Sequence, residues 1–568
     1  MEKKISRRKF LAGAGMVGAG MIAVACAPKA APTEAPAPTS APPTAAPAAT
    51  AAPASTAVPP TAVPVVKPAK AGLAPGMIGG PTGFEGCERY QYGPDSPAGR
   101  AMLALQALPP DKKPEKLVMM LPTGATGHWT VPFPNDQAPT SQQVFEEESG
   151  IKLEVVGTDA DTQTTKIIQD TTTKAGGYDL YSHWLPDKGT LAESGALFYL
   201  DDFVAQHKPE WEKYYTGGAY TVLQENYHAG KIVTVNFDGD YQSWVYRTDL
   251  FEDEKEQKAF KDKYGWDLQW PETWDQFDQI AQFFNRPDQN LWGCTDLRNP
   301  VWSQVNFNQR YACLSDPNQM YFDPDTAKPL IDGDAGVETV QWLVDSLKWH
   351  SPDALSWGWP EQYNNWAAGG AAMSCCYPNV TKFQDNVNNK DSVVTGKMKT
   401  GLVPGKVING KLVRRGNWWP NIAQAVSSQT KYPEASYLTL QWGNSPSLFT
   451  WMVGNPAGYY DPFQTSDWTD PIVVGSYHQY QVDNLQNTIK HSVPCINMSG
   501  NNDYVIALDN EIQAVITGKK TAAQAVKDAA AEWEKITDRI GRDKQIAALK
   551  FQVDAWPTLT ETPTIKSS

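Results

Sequence analysis

The chain of 568 residues is poor in cysteine and in basic residues. None of its seven cysteines forms a C-x-x-C pair, which leaves little support for a zinc site or a thioredoxin-like centre. Neither H-E-x-x-H nor G-x-S-x-G occurs, so two common hydrolase signatures are missing. Lys and Arg number 49 against 63 Asp and Glu, for a net charge of -14. A chain this acidic is not built for nucleic acid, and we expect no such partner and no cofactor.

The first 25 residues have the pattern of an export signal. Arg7 and Arg8, within SRRKFL, resemble the twin-arginine signal that an export receptor reads. The weakly apolar run 11–25 falls short of the roughly 20 residues that cross a bilayer as a helix. The sequence AVAC ending at Cys26 resembles a bacterial lipobox, in which this cysteine is lipidated, and cleavage as an ordinary signal peptide is the alternative. We therefore expect 1–25 to be a lipoprotein signal peptide.

A stalk of nearly pure Ala, Pro, Thr and Val occupies residues 26–70. Such a stretch cannot bury a core and is typical of an extended, semi-rigid spacer. The stalk predicts a body held outside the membrane by a lipid anchor alone. The remaining residues exceed what one hydrophobic core serves, so at least two lobes are expected.

Six cysteines remain beyond Cys26: Cys87, Cys294, Cys313, Cys375, Cys376 and Cys495. An even number in an exported chain is compatible with disulfides, but six cysteines allow 15 pairings. Their closeness in sequence weakly favours a bond between Cys294 and Cys313.

Strands and helices alternate through the first half of the body. LVMMLP, IKLEVVGT and YDLYSHW read as strands, with helical segments between them. This order indicates an α/β fold with a parallel sheet, in which ligands bind beyond the carboxyl ends of the strands. His128, Trp129, His183 and Trp184 are predicted to fall in loops at those ends.

Local signals are clear in the second half. Thr273 with Gln276 forms a capping box before a helix with an apolar face, and Thr521 with Gln524 begins another. Asn409-Gly410 between two alternating stretches predicts a hairpin. The same stretch nearly spells a phosphate loop, but Leu412 stands where Ser or Thr must hold magnesium, so the hairpin is favoured.

Several longer motifs occur in an order that resembles one family. They are FEEESGIKLEVV, AGGYDLYSHW, LAESGALFYLDDF, SWVYRTDLF, WPETWDQFDQIAQF, WAAGGAAMSCCYP, RGNWWPNIAQAVSS and VITGKKTAAQAVKDAAAEWEKI. Across about residues 116–545 the chain resembles extracellular solute-binding lipoproteins of ABC importers, of the family 1 sugar-binding type.

The resemblance implies a two-lobed periplasmic-binding-protein-like fold (type II), with a ligand cleft and two or three hinge crossings. Crossings are expected near 238–241 and 397–403. Lobe one would hold 115–240 and 402–450, and lobe two 241–401 and 451–548. Residues 71–114 form an N-terminal extension and 549–568 a tail, neither with a family counterpart. The implied function is capture of a sugar or oligosaccharide by hinge closure and delivery to an ABC permease, without catalysis.

Aromatic residues suit such a cleft because a sugar offers a flat C–H face and a rim of hydroxyls. The chain has 21 Trp, and some of them are expected to form a ligand platform. Trp366, Trp274, Trp342 and Trp533 are expected in the core. The residues predicted to contact ligand are Trp129, His183, Trp184, Asp238, Tyr241, Trp302, Trp357, Trp359, Asn417, Trp418 and Trp419.

Other interpretations stay open. The same fold with a peptide, polyamine or other non-sugar solute is the main alternative, since aromatic cages also bind cations. A secreted glycan-cleaving enzyme would need two carboxyls across the scissile bond, and no acid pair in the loops suggests one. Asp323, Asp325, Asp332 and Asp334 do not match an EF-hand loop, so surface turns are favoured over a calcium site.

Overall fold

Two β-sheets organise the part of the chain that the structure describes. The structure is a computed structural model, and it describes residues 72–300, 302–315, 320–418, 421–490, 492–494, 496 and 498–554, all within the compact unit Val58–Ser568. Within these residues no helix is both long and apolar enough to span a bilayer.

The first sheet has the order β2-β1-β3-β14-β6. Its strands are β1 (Lys116–Pro122), β2 (Lys152–Thr158), β3 (Leu180–Trp184), β6 (Val235–Asn236) and β14 (Ile422–Val426). β1 runs parallel to β2 and β3, whereas β14 is antiparallel to β3 and β6. The predicted parallel strands are therefore present. β14, which comes much later in the chain, pairs with β3 in the antiparallel direction.

The second sheet has the order β10-β7-β9-β8. Its strands are β7 (Ser243–Arg247), β8 (Trp292–Thr295), β9 (Ala371–Cys376) and β10 (Met398–Gly401). β7 is antiparallel to β10 and β9, and β8 is parallel to β9. Three small pairs complete the strands: β4 (Tyr227–His228) with β5 (Lys231–Ile232), β11 (Lys406–Ile408) with β12 (Lys411–Val413), and β13 (Gly416–Trp418) with β15 (Ser492–Pro494).

Helices cover both sheets. The α-helices before residue 300 are Pro97–Ala107, Gly127–Thr130, Ser141–Ser149, Gln163–Thr173, Lys188–Glu193, Asp201–His207, Trp211–Tyr214, Ala219–Asn226, Thr248–Phe251, Glu254–Tyr264 and Trp274–Phe284. Those after it are Ser303–Tyr311, Asp334–Asp345, Trp359–Ala367, Asn379–Gln384, Pro433–Asn444, Pro446–Val453, Pro471–Tyr477, Gln479–Lys490, Asn501–Ile516, Ala522–Ile540 and Arg542–Asp554. Short 3-10 turns lie between them: Cys87–Tyr90, Thr123–Ala125, Ala160–Thr162, Leu185–Asp187, Pro287–Gln289, Ser346–Trp349, Pro352–Leu355 and Asp467–Thr469.

β1 of the first sheet is buried on both faces, and its successive side chains alternate between those faces. Leu117, Met119 and Leu121 of β1 lie in one large core, and Met120 lies in a smaller core on the opposite face. A strand covered on both faces reads as a continuous apolar run, which explains the sequence LVMMLP.

Two large cores correspond to the two sheets. The first is built around β1, β3 and β14, and the second around β7, β8 and β9. Residues 72–107 pack into the first core, through side chains such as Tyr92 and Met102. Apolar residues from Trp451 to Ile489 also belong to the first core, although the sequence assigned 451–548 to lobe two. Only residues from Ile496 onward pack into the second.

The chain passes between the two sheets three times. The first passage joins β6 to β7, the second joins β10 to β14, and the third joins the helix Gln479–Lys490 to the second core. β13 lies in the second passage and β15 in the third, and these two strands pair in parallel. The predicted two or three crossings are thus present, and two of them are hydrogen-bonded to each other.

Most local predictions are confirmed. Thr273 and Gln276 form the reciprocal capping box, and Thr521 accepts a hydrogen bond from the Gln524 amide. β11 and β12 form the predicted hairpin. The cysteine prediction was wrong: Cys294 and Cys313 are free, buried thiols, as are Cys87, Cys375 and Cys376, and Cys495 lies outside the described residues.

Candidate functional site

The first passage between the sheets carries two buried carboxylic acids. Asp238 is 0% exposed and Asp240 is 6% exposed, on either side of Gly239. A side chain at Gly239 would collide with the carbonyl of Pro462, so glycine allows this segment to pass directly against residues 461–462. The passage therefore brings a third acid, Asp461, next to the first two.

Asp238, Asp240 and Asp461 form an acid trio. One carboxylate oxygen from each lies within 4.8 Å of the others. The Asp461 amide donates to Asp238 Oδ1 at 2.7 Å, and the Tyr477 hydroxyl donates to Asp461 Oδ1 at 2.8 Å. Asp238 Oδ2, Asp240 Oδ1 and Asp461 Oδ2 are buried and receive no hydrogen bond from outside the trio among the described residues. Three acceptors thus converge on one place.

Burial and mutual repulsion hold these acids partly protonated. Desolvation, followed by the charges of the other acids, raises the pKa of Asp238 and of Asp240 well above the ordinary value. Desolvation also raises the pKa of Asp461, although the ammonium of Lys382 opposes the shift. Lys382 is 1% exposed, and burial lowers its pKa to about 8 against the attraction of the acids. Its Nζ donates to the Tyr460 carbonyl at 3.1 Å.

A small cavity lies near Asp240, whose charge acts on one of the lining residues, Tyr377. Its lining includes Gln242, Asn306 and Tyr377 together with the apolar Leu297 and Val305, and its volume is ≈ 10 Å³, about one water molecule. The Gln242 amide approaches the Tyr377 hydroxyl, and apart from this contact neither group, nor Asn306 Oδ1, has a hydrogen-bonding partner among the described residues. Such groups are costly to bury, so they indicate a site that polar ligand atoms can satisfy.

One fully buried helix supplies much of this polar surface. Every residue of Ser303–Tyr311 is buried, including Gln304, Asn306 and Asn308. A buried helix normally carries apolar residues all round, and this one carries amides and a guanidinium instead. Asn306 of this helix lines the small cavity, and Val305 packs into the first core whereas Phe307 and Tyr311 pack into the second.

Tyr459 packs between Gly124, which follows β1, and Trp359. Its ring packs directly on Gly124, just after β1, where a Cβ would collide with it. On the other side it meets Trp359 edge-on, with ring centroids 6.4 Å apart, and Asn379 Nδ2 donates to its carbonyl at 3.1 Å. Trp359 also packs edge-on to Tyr363 at 5.5 Å. These rings form an aromatic edge beside the acids.

His128 positions the segment that carries Asp461. Its Nδ1 lies 2.7 Å from the Met452 carbonyl, its Nε2 accepts from the Tyr460 amide at 2.8 Å, and its ring stacks on Tyr460 at 4.5 Å. Burial, with the nearby charge of Lys382, lowers the pKa of this imidazole well below its usual range. His128 is therefore a neutral positioning residue.

Three predicted site residues lie at or beside the trio. Asp238 belongs to it, Trp359 stands at the aromatic edge with 37% exposure, and Tyr241 follows Asp240 in the first passage. The Tyr241 hydroxyl donates to Glu225 Oε1 at 2.5 Å, so it is committed to a neighbouring buried carboxyl.

Other predicted site residues have different surroundings. Trp129 is fully buried in the first core against Trp442, at 6.2 Å between centroids. His183 is also fully buried, with Nε2 3.2 Å from Thr234 Oγ1, and burial lowers its pKa to about 4. His183 and Trp184 are the last residues of β3, so the prediction that they lie in a loop was wrong.

The remaining indoles are partly buried or outside the description. Trp184 and Trp302 pack against the first core, and Trp357 is half-buried. Asn417 and Trp418 belong to β13, but their side chains lie outside what the structure describes, and Trp419 lies outside the described residues.

Sequence reasoning missed most of the polar site. Asp240, Asp461, Lys382, Gln242 and Asn306 were not singled out as ligand contacts. Asp461 is far from Asp238 along the chain, and the residues around Asp461 do not indicate that the two acids are in contact. The polar helix SQVNFNQRY did carry a signal, because it has no apolar stripe.

A second buried cluster has a structural explanation. Asp296 receives Nε and Nη2 of Arg298 at 2.6 and 2.9 Å, and His350 Nε2 lies 3.1 Å from it. Burial favours the neutral acid, but Arg298 and His350 outweigh it and hold the pKa of Asp296 well below its usual range. The carboxylate is therefore already paired. Asp323 caps its own turn by accepting from the Asp325 and Thr326 amides, as the surface-turn interpretation predicts.

The fold and the buried polar site between two sheets define the class of two-lobed solute-binding proteins. Structural neighbours agree. An ABC transporter solute-binding protein of Agrobacterium radiobacter K84 in complex with ribitol has a TM-score of 0.59 at 19% identity, over 75% of this chain and all of the neighbour. Maltose-bound MalE3 of T. maritima has a TM-score of 0.59 at 16% identity, over 74% and 99%. A Listeria monocytogenes ABC substrate-binding protein in complex with cycloalternan has a TM-score of 0.58 at 16% identity, over 74% and 99%. At these identities the likeness concerns the fold.

The family model for bacterial extracellular solute-binding proteins matches residues 128–448, more than half of the chain. The protein belongs to this family. A probable amino-acid ABC transporter periplasmic-binding protein of Sinorhizobium fredii is 26% identical over 226 residues, 39% of this chain. The match spans about half the length of that relative, 48%.

Proposed function

We propose that the protein captures a sugar-class solute between its two sheets and delivers it to an ABC permease. The observation that carries this proposal is the set of buried, unpartnered polar groups where the chain passes between the sheets. Hydroxyls of a sugar can satisfy amides and carboxyls at once, and nearby rings can cover its C–H face. The ribitol, maltose and cycloalternan named for the neighbours are of the same chemical class.

Hinge closure is the proposed mechanism. A cavity of ≈ 10 Å³ cannot admit a sugar, so the sheets must separate for entry and close again over the solute. The paired strands β13 and β15 couple the second and third passages and would move as one hinge element. We propose that the division into two lobes follows the two cores, with 72–107 and 451–489 in the first.

The site is proposed to bind and release its solute unchanged. One oxygen of each acid of the trio lies within 4.8 Å of the others, so the three carboxyls cluster together and do not face one another across a bound sugar. Membership of a solute-binding family also supports binding without hydrolysis.

A solute panel tests this function. The full chain in mild detergent is heated with mono- and oligosaccharides, polyols, amino acids, peptides and polyamines, while tryptophan fluorescence is followed. Solute at 100 times its Kd should add about 2.7 kcal/mol and raise Tm by a few degrees. Asn306→Leu should lose at least tenfold in affinity, whereas Gln341→Leu, on an exposed helix face, should bind normally. Turnover of a glycan would contradict the proposal.

Anchoring is proposed through Cys26, after export directed by Arg7 and Arg8. Support comes from the sequence pattern and from the extracellular family. Cys26→Ala should abolish incorporation of labelled fatty acid and move the protein to the soluble fraction. Changing both arginines to lysine should retain the protein inside the cell, and normal export of that variant would contradict the twin-arginine assignment.

A further inference from the structure

The acid trio sets three buried carboxyls beside one ammonium. Asp238, Asp240 and Asp461 are 0%, 6% and 0% exposed, and Lys382 is the ammonium that interacts with them. Each acid keeps one buried oxygen that receives no hydrogen bond from outside the trio among the described residues. Buried carboxyls stay protonated unless they are paired with positive charge, so a further cation would let more of the trio ionise.

A second observation at the same place points to a ligand. Gln242 lies two residues after Asp240, is 4% exposed and lines the cavity, where its amide approaches the Tyr377 hydroxyl and finds no other side-chain partner among the described residues. Tyr377, which faces the same cavity, is close enough to Asp240 for that charge to act on its hydroxyl. Donors and acceptors for hydroxyls are thus adjacent to acceptors for a cation.

Three tyrosines lie near the trio, and one of them, Tyr477, donates to Asp461 Oδ1. Tyr363, Tyr459 and Tyr477 all interact electrostatically with its carboxylates, and they come from three different segments. Tyrosines beside carboxylates are a common setting for an organic ammonium, which is attracted by both ring faces and oxygens. A bare divalent metal ion fits less well, because Lys382 lies beside the acids and hard cations need several unopposed oxygens.

We propose that the solute is a hydroxylated, sugar-like molecule with a protonated amine, and that this ammonium binds among Asp238, Asp240 and Asp461. The inference rests on the proposed function, because it places the solute in the same cleft. The hydroxyls face Gln242, Asn306 and Tyr377, and the ammonium satisfies the carboxylate oxygens that receive no hydrogen bond from outside the trio. A neutral sugar would leave the acids partly protonated and would gain no charge pairing from them.

Ligands that differ in the charge on their amine measure the contribution of that amine to binding. Calorimetric titration of the full chain compares glucosamine oligosaccharides with N-acetylglucosamine oligosaccharides of equal length, which share the skeleton but lack the charge. Maltooligosaccharides, spermidine and calcium chloride complete the panel. We expect the free amines to bind at least tenfold more tightly than their acetylated counterparts, and more tightly than spermidine, which lacks the hydroxyls.

Variants then locate the contact. Asp240→Asn and Asp461→Asn should each weaken binding of the amine ligand at least tenfold. The ligand-free Tm of Asp240→Asn should not fall, because this change removes a buried acid that lacks a full set of partners. Asp461→Asn should lower the ligand-free Tm, because Asp461 is the main counter-charge of Lys382. Asp483→Asn, an exposed acid on the helix Gln479–Lys490, should bind like the parent protein. Equal losses of affinity for acetylated and free-amine ligands would overturn the inference.

The remaining outcomes separate the two proposals. Equal or tighter binding of neutral oligosaccharides overturns the ammonium inference and leaves sugar capture standing. Tightest binding of spermidine overturns the sugar-like skeleton. A rise in Tm with calcium alone, reversed by a chelator and lost in Asp240→Asn, makes the trio a metal site and also overturns the inference. Absence of binding by every sugar, with or without an amine, contradicts the proposed function itself.

Discussion

Lys382 is the residue whose charge most directly balances the site. It is nearly fully buried, its Nζ lies 4.9 Å from the centre of the Tyr477 ring, and burial lowers its pKa to about 8. The acids around it raise that pKa in turn, so ammonium and trio stabilise each other. Removing one partner of a buried charge network leaves the other uncompensated.

Replacing Lys382 with methionine should therefore destabilise the protein. We expect a loss on the order of 3 kcal/mol at pH 7, where Lys382 is mostly charged, because the acids lose their nearby cation. The loss should shrink toward pH 5 as the acids take up protons. Chemical denaturation of parent and variant at both pH values measures the difference. Lys397→Met, at an exposed position, is the control, and a Lys382→Met variant as stable as the parent at pH 7 would refute the argument.

At the scale of single elements, two exposed glycines test how backbone conformation affects stability. They differ in backbone conformation but not in the space around them. Gly410 in the β11–β12 turn has φ of 78°, whereas Gly475 lies inside the helix Pro471–Tyr477. An added Cβ would meet nothing within 4 Å at either position. Gly410→Ala should cost about 1–2 kcal/mol through left-handed strain, and Gly475→Ala should stabilise by about 0.4–1 kcal/mol. If denaturant titrations gave the same change in unfolding free energy for both variants, backbone conformation would not determine the effect of replacing glycine.

Elements of this kind are predictable because their signals are local. The Asn409-Gly410 turn and the Thr273 capping box depend on neighbours within four residues. The helix Ser303–Tyr311 is different, since its polar residues are buried by partners far along the chain. Its sequence resembles an exposed segment, and only the tertiary contacts show why amides are tolerated there. Short-range chemistry therefore predicts elements, and long-range contacts assemble the site.

At the scale of the whole molecule, the sequence suggested two lobes through the length of the body and the family resemblance. It could not place residues 72–107, which lack a counterpart in the resemblance yet pack into the first core. Nor did it place 451–489, because a covering helix can pack on either lobe with the same apolar face. Asp238 was predicted from its position at a crossing. Asp461 joins the site only through tertiary contacts with residues far from it along the chain.

Buried titratable groups also set how stability depends on pH. Burial raises the pKa of Asp187 to about 6, of Asp467 to about 7 and of Glu225 to about 8. The folded state therefore binds protons that the unfolded chain, with carboxyl pKa values near 4, does not bind until lower pH. Stability contributed in this way increases as pH falls through the folded pKa values. His128 and His183 act oppositely, because only the unfolded chain protonates them near pH 6.5.

The two effects predict a specific profile. From pH 8 to 6.5 the carboxyls act without opposition from the histidines, so Tm should rise, with a limiting slope of about 1.36 kcal/mol per pH unit for each group that titrates. Below pH 6.5 the histidines should flatten the curve. Glu225→Gln removes the acid with the highest of the three values and should make the rise shallower between pH 8 and 6.5. Thermal unfolding across this range, at constant ionic strength, measures the slope, and a Tm that falls from pH 8 to 6.5 would show that the buried carboxyls are not protonated in the folded state.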